Sequence, residues 1–178
     1  MATSSTKNIK LGVCSVSYGG NDLGFTKGGV EVTVETNTHE VTVDQMGETP
    51  INEYIMSRTC KVTVPLAETT LENLAKIMPG ATLVSDSSSP ETKKYVEVPV
   101  SAGSDLLSVA QELVLHPIAN AKENKLDDFT VPKAATPGAL NYSYKLDEER
   151  IFSCEFKAYA DDKGILFKVG DTTAVAGG

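Results

Sequence analysis

Two runs of strictly alternating side chains lie close together early in this sequence. In residues 30–35, and again in residues 40–44, valines alternate with polar residues. A period of two is typical of a strand with one buried and one exposed face. The polar segment 36–39 between the runs favours a turn, so the sequence predicts a hairpin with a valine face and an acidic face. The acidic face comprises Glu31, Thr33, Glu35, Glu40, Thr42 and Asp44.

Four carboxylates on one face of a hairpin are unfavourable. Like charges that face each other across strands destabilise a sheet by a few tenths of a kcal/mol up to about 1 kcal/mol per pair. Either the protein uses this negative charge, or the face simply lies in water. The sequence alone leaves both explanations open.

Residues 44–57 follow as a predicted loop that contains Gly47 and Pro50. The loop is unusual because it carries several large apolar side chains, namely Ile51, Tyr54, Ile55 and Met56. Such a loop either packs on its own domain or inserts into a neighbouring copy.

A strand and a helix come next. Alternation resumes at Cys60, which shares a predicted face with Val62, Val64 and Leu66. Thr69 and Glu72 then match a capping box, and a Pro-Gly pair at 79–80 ends the helix. Its apolar residues recur at helical spacing, which predicts a helix that covers a sheet: Leu71, Leu74, Ala75 and Met78.

The second half of the chain predicts further strands at 94–98 and 112–116, and a closing hairpin of 151–160 with 164–169. The apolar face of its first strand comprises Phe152, Cys154, Phe156 and Ala158. Residues 119–135 are polar and predict a surface insertion. Residues 1–22 predict an extended arm and residues 171–178 a loose tail. A single β domain over residues 23–170 is therefore expected, since a chain of 178 residues is long enough for one sizeable core.

The composition limits the possible partners. A formal net charge of -8 argues against a protein that grips nucleic-acid phosphates, although solubility alone also explains such a charge. No apolar run approaches the roughly 18 residues that span a bilayer, so we expect no membrane association and a cytoplasm-like site of synthesis. Three widely spaced cysteines, Cys14, Cys60 and Cys154, predict reduced core residues rather than disulfides.

Catalytic and metal-binding patterns are missing from the sequence. The two histidines, His39 and His116, lack metal-ligand spacing to any cysteine or to each other. Neither GxSxG nor HExxH occurs. We therefore expect no enzyme activity, no cofactor and no bound metal.

Three segments together resemble the tail tube proteins of long-tailed bacteriophages. They are GFTKGGVEVTVETNTHEVTVDQMGETPINEYI, then PLAETTLENLAKIMPGA, and further on LVLHP. The resemblance is to a diffuse pattern rather than to an invariant motif. It implies a mainly β fold, a β-sandwich or barrel with one flanking α-helix, related to the ring protein of type VI secretion.

The resemblance also implies a function. Tail tube proteins form homohexameric rings that stack into a tube, and hairpins of all subunits line its lumen. DNA leaves the capsid through this lumen, which the tape measure protein occupies first, while terminator and tail-tip proteins end the tube. The implied location is the virion tail, after synthesis in the cytoplasm of the bacterial host.

Carried onto this sequence, the resemblance gives the acidic hairpin face a role as the lumen wall. The apolar loop then contacts an adjacent subunit or ring, through Gly47, Pro50, Ile51, Tyr54 and Ile55. Two alternatives remain open. A type VI-like secretion ring protein would share fold and ring, and a monomeric β-sandwich binding module would need aromatic platforms, which 6% aromatic residues without Trp disfavour.

Overall fold

A computed structural model describes residues 9–10, 12–87, 93–100 and 102–174. The described chain is mainly β, with one large antiparallel sheet and one α-helix, as the sequence predicts. The elements, in chain order, are β1 Cys14–Tyr18, β2 Asn21–Asp22, β3 Glu31–Val41, β4 Asn52–Leu66, α1 Leu71–Ile77, β5 Thr82–Ser85, β6 Lys94–Glu97, β7 Gln111–Pro117, β8 Phe129–Ala135, β9 Phe152–Tyr159 and β10 Lys168–Val169.

The large sheet has the strand order β2-β1-β7-β8-β9-β4-β3, and β10 also pairs with β8. Strands β5 and β6 form a separate pair. Every pairing is antiparallel. Strand β6 confirms the predicted strand at 94–98, and β7 confirms the one at 112–116.

The large sheet curls into a barrel. Tyr18 on β1 and Phe156 on β9 pack with ring centroids 4.9 Å apart, although two strands lie between them. In a flat sheet their strands would be about 14 Å apart. After β2 the chain crosses to β4, where the amide of Ala67 donates to Phe25 O at 2.8 Å and that of Lys27 donates to Pro65 O at 3.0 Å. This crossing segment closes the barrel.

Alternation within the strands fills the barrel. On β4 the predicted face of Cys60, Val62, Val64 and Leu66 is buried, and on β9 Phe152, Cys154 and Phe156 are buried too. Inward residues of β1, β7 and β8 complete the same cluster, which includes Val16, Leu113, Leu115, Val131 and Ala134. The period-two patterns on β4 and β9 therefore predicted the core correctly.

The helix begins one residue later than predicted. Thr70, not Thr69, is the N-cap, and its Oγ1 accepts from the Asn73 amide at 3.2 Å. Thr69 instead binds the side chain of Arg150, because the guanidinium Nη2 of Arg150 donates to Thr69 Oγ1 at 3.0 Å. The most buried positions of the helix are Asn73 and Ile77, which lie one turn apart on the same face.

Of the helix positions predicted to cover the sheet, Leu74, Ala75 and Met78 are half-buried, whereas Leu71 is exposed. Ile77, which the prediction omitted, lies in the core. The buried Asn73 side chain fixes this orientation, because its Nδ2 donates to Leu23 O and to Glu68 O.

The predicted surface insertion at 119–135 is wrong over its second half. Residues 129–135 form β8, which lies between β7 and β9. The prediction failed because Pro132 argues against a central strand. The register between β7 and β8 shifts between Gln111 and Leu113, opposite this proline, and such an irregularity accommodates a residue that has no amide hydrogen.

Two further predictions are corrected. Residues 14–22 of the predicted N-terminal arm form β1 and β2 of the barrel, since β1 pairs with β7 along its whole length. The final strand does not form a hairpin with β9, because β10 pairs with β8 and Phe167 stacks on Phe129 with ring centroids 5.0 Å apart. Residues 1–8 and 11 of the predicted N-terminal arm and residues 175–178 of the predicted tail lie outside the described residues.

All three cysteines are free, and Cys60 and Cys154 are buried. Burial raises the pKa of the Cys154 thiol to about 12 and also raises the pKa of Cys60. Because the thiolate is the reactive form, we expect neither thiol to react with a disulfide reagent at pH 8 while the chain is folded. Counting labelled thiols by mass spectrometry with and without denaturant checks this; rapid labelling of folded Cys154 would contradict it.

Truncating the most central aromatic side chain should destabilise the barrel. Phe156 is 1% exposed, so Phe156→Ala should lower the free energy of unfolding by about 3–5 kcal/mol. Phe25 is 77% exposed, so Phe25→Ala should change it by less than about 0.5 kcal/mol. Urea unfolding of both variants measures the difference, and equal losses would contradict the assigned core.

Candidate assembly surface: a projecting hairpin arm

A single long hairpin replaces the short one that the sequence predicts. β3 pairs with β4 from Glu31 opposite Thr63 to Val41 opposite Asn52. The predicted turn at 36–39 is therefore wrong, and the chain reverses at 42–51, which includes a short 3-10 helix at Asp44–Met46. Threonines in the supposed turn suit a strand well, and β4 offers each of these residues a partner.

Most of this hairpin projects from the barrel. Strand β9 pairs with β4 only from Lys61 to Leu66. Residues 34–41 of β3 and 52–60 of β4 therefore extend past the last barrel pair. Residues 42–51, which connect the two strands, form the tip of the hairpin. We call residues 34–60 the arm; at about 3.3 Å per residue it reaches about 30 Å.

Both edges of the arm are open. Within the described residues, β3 pairs with no strand except β4, and the opposite edge of residues 52–60 has no strand partner. Unpaired edges offer rows of amide and carbonyl groups to another strand. A two-stranded ribbon alone is marginally stable in water, so the arm is suited to pairing with further strands.

A register shift between Asn37 and Thr38 assigns the side chains of the whole β3–β4 hairpin to its two faces. Met56 is the extra residue of β4 at this bulge, because Asn37 pairs with Ser57 and Thr38 pairs with Ile55. The polar face carries Glu31, Thr33, Glu35, Asn37 and His39 of β3 and Tyr54, Ser57, Thr59 and Lys61 of β4. The opposite face continues the barrel interior and carries Val32, Val34, Thr36, Thr38 and Glu40 with Glu53, Ile55, Arg58 and Cys60.

The predicted acidic face is thereby split. Glu31, Thr33 and Glu35 share the polar face, but Glu40 lies on the opposite face because β3 continues without a turn. Thr42 and Asp44 lie in the tip, outside the strand.

The predicted repulsion within the acidic face is also absent from most of the arm. Glu31 lies opposite Thr63, and Glu35 opposite Thr59. Only Glu40 directly opposes another carboxylate within this hairpin, that of Glu53. The acidic side chains are therefore distributed over both faces and the tip of the hairpin rather than concentrated on one face.

The apolar positions of the predicted loop divide between two elements. Gly47, Pro50 and Ile51 lie in the tip, whereas Tyr54 and Ile55 belong to β4, which corrects the predicted loop over 52–57. All five are exposed. Met56 is 68% exposed and Ile55 62%, so this apolar surface does not pack on its own domain.

The hairpin region carries most of the net charge. Residues 28–57 contain six Asp or Glu and no Lys or Arg, which accounts for -6 of the formal net charge of -8. These acidic residues are Glu31, Glu35, Glu40, Asp44, Glu48 and Glu53. This segregation is visible in the sequence, because Lys27 and Arg58 are the cationic residues that bound the segment.

A second polar feature lies at the start of β8. His116 Nδ1 and Asp128 Oδ1 are 2.6 Å apart, and Asp128 is only 5% exposed. The Asp128 carbonyl also accepts from the Gly170 amide at 2.8 Å. His116 Nε2 is buried without a hydrogen-bond partner in the described structure. The pair thus links β7, β8 and the end of β10.

The surroundings of the two histidines differ. Within the described residues no group of three His, Cys, Asp or Glu side chains is placed to hold a metal ion. His39, the other histidine, is exposed on the arm opposite Tyr54. The His116–Asp128 contact connects β7, β8 and the end of β10, and on that ground we treat it as structural.

Removing one partner of this contact should be costly. His116→Ala leaves the Asp128 carboxylate buried and unpaired, which should lower the free energy of unfolding by about 3 kcal/mol. The double variant His116→Leu, Asp128→Leu should lose less than the sum of its single variants, because it leaves no unpaired charge. Additive losses in urea unfolding would show that the two side chains are not coupled.

No protein-family model matches this chain, and no curated protein matches it. Among the described residues, none of the helical segments has the length and apolarity needed to cross a bilayer.

Proposed function

We propose that this chain is a structural protein that assembles into stacked rings and forms a tube of the bacteriophage tail-tube kind. The observation that carries the proposal is the projecting arm with two open edges. An arm of this length has few contacts of its own, whereas the arms of several copies would complete one another's sheets.

The two open edges favour a repeated contact between copies that can close into a ring. They lie on opposite sides of the arm and belong to antiparallel strands. When β3 of one copy lies beside β4 of the next, the new ladder is antiparallel like the existing one. Because the joined edges differ, the contact is head-to-tail, and repetition closes a ring when the rotation fits. Six copies is the number that the resemblance implies.

The polar face of the β3–β4 hairpin is our candidate for the channel wall. It bears Glu31, Thr33 and Glu35 and no large aliphatic side chain of β3 other than Val41, the last residue of the strand. The opposite face, with Val32 and Val34, would lie against the surrounding barrels. Each copy would contribute Glu31 and Glu35 against Lys61, and Glu155 against Lys157, so the wall of a ring would be negative overall and DNA phosphates would pass it without binding.

The apolar tip is our candidate for contacts between copies. Met46 is 61% exposed and Ile51 50%, and Gly47 and Pro50 lie between them in the chain. Tyr54 and Ile55 extend this surface along β4. The proposal includes a tape measure protein within the channel, terminator and tail-tip proteins at its ends, and a place in the virion tail.

The arm provides the test. We would replace residues 38–56 with Asn-Gly, which joins Asn37 directly to its partner Ser57 through a two-residue hairpin turn. The unmodified chain should form rings or hollow tubes with rising concentration in negative-stain electron microscopy. The shortened chain should remain monomeric and keep its cooperative thermal unfolding, since the barrel core lies outside the deletion.

Two results would contradict the proposal. One is an unmodified chain that stays monomeric at high concentration even when a tail-tip extract is added to initiate assembly. The other is a shortened chain that still forms rings, which would place the contact between copies elsewhere.

A further inference from the structure

Two lysines lie side by side where the arm leaves the barrel. Lys61 on β4 is directly opposite Lys157 on β9, and both project from the polar face. Directly opposed like charges destabilise a sheet. Neither lysine forms an ion pair among the described residues, although Glu31, Glu35 and Glu155 lie diagonally across the strands from Lys61. A further negative charge beside Lys157 would relieve this repulsion.

The position of the two lysines matters because the free edge of β4 begins there. Pairing with β9 ends at Lys61, and the open stretch runs from Cys60 to Asn52. A strand that adds to this stretch therefore starts next to the lysine pair. The β3 edge of a second copy carries Glu31 and Glu35, in a region without any Lys or Arg from residue 28 to 57.

The same charges disfavour the competing symmetric contact. If two copies met through their β3 edges about a two-fold axis, Glu31, Glu35 and Glu40 of both copies would lie in one antiparallel ladder, with Glu31 and Glu35 on its polar face and Glu40 on the opposite face. Such a contact places six carboxylates along one ladder without a cation between them. Charge thus distinguishes the head-to-tail contact from the two-fold dimer.

We propose that Lys61 and Lys157 form the recognition point for the acidic β3 strand of a second copy and so direct head-to-tail assembly. The inference rests on the proposed function, because it assumes that copies join through the edges of their arms. It adds the residues that choose between the two possible edge contacts. It also assigns a role to two lysines whose mutual repulsion the fold of a single copy does not explain.

Charge exchange between two variants tests the proposal. The acid-reversed variant carries E31K and E35K, and the lysine-reversed variant carries K61E and K157E. In each variant alone, like charges meet at every contact between copies, so the concentration at which rings form should rise about tenfold or more. In an equimolar mixture every contact between unlike copies pairs opposite charges, so rings should reappear near the original concentration.

Glu155→Lys is the matched control. Glu155 and Glu31 flank Thr63 on its two sides, so both substitutions alter the surroundings of Lys61 in the same way. Only Glu31 belongs to the free edge. Glu155→Lys should therefore assemble like the unmodified chain, and thermal unfolding of all variants shows whether each barrel is intact.

Sedimentation velocity and electron microscopy of the variants separate the outcomes. Assembly of each reversed variant at the original concentration would overturn the inference, as would a mixture that stays monomeric while Glu155→Lys forms rings. Loss of assembly in Glu155→Lys would also overturn it, because the effect would not be specific to the edge. Absence of rings from the unmodified chain would instead overturn the proposed function on which the inference rests.

Discussion

The pairing of β4 with two different neighbours is the constraint on which the rest of the structure depends. From Lys61 to Leu66 this strand lies between β3 and β9, and its inward side chains are among the most buried in the chain. From Asn52 to Cys60 the same strand pairs with β3 and, within the described part of the chain, with no other strand. One continuous strand thus anchors the arm in a packed core, which stabilises a ribbon that would be marginal by itself.

The barrel positions the arm through its closure. The crossing segment after β2 bonds to β4 at Pro65 and Ala67 and then continues directly into β3. Consequently β3 enters the hairpin already aligned with β4. Closing the barrel also leaves the unsatisfied strand edges in the arm, where they are remote from the core and accessible to another copy.

Local patterns predicted the parts of this fold that depend on neighbours in sequence. Alternation located the buried faces of β4 and β9, and the Pro-Gly pair ended α1 at the right place. Alternation failed where a strand has no buried face. Residues 36–39 look like a turn because they are polar, yet they belong to a strand whose two faces are both exposed. β8 was missed for a related reason, since Pro132 is compatible with a central strand only at an irregularity that the sequence does not reveal.

By itself the sequence determined that the chain is mainly β, which side chains form the core of its clearest strands, and that residues 28–57 account for most of the net negative charge. Side-chain period and charge are local properties, so they can be read without knowing which strands meet. Tertiary structure alone decided that β3 pairs with β4 over its full length and that the pairing of β9 with β4 ends at Lys61. It also decided that a lysine pair lies beside an open strand edge. Those features depend on where pairing between distant segments begins and ends, which the packing of the whole barrel sets.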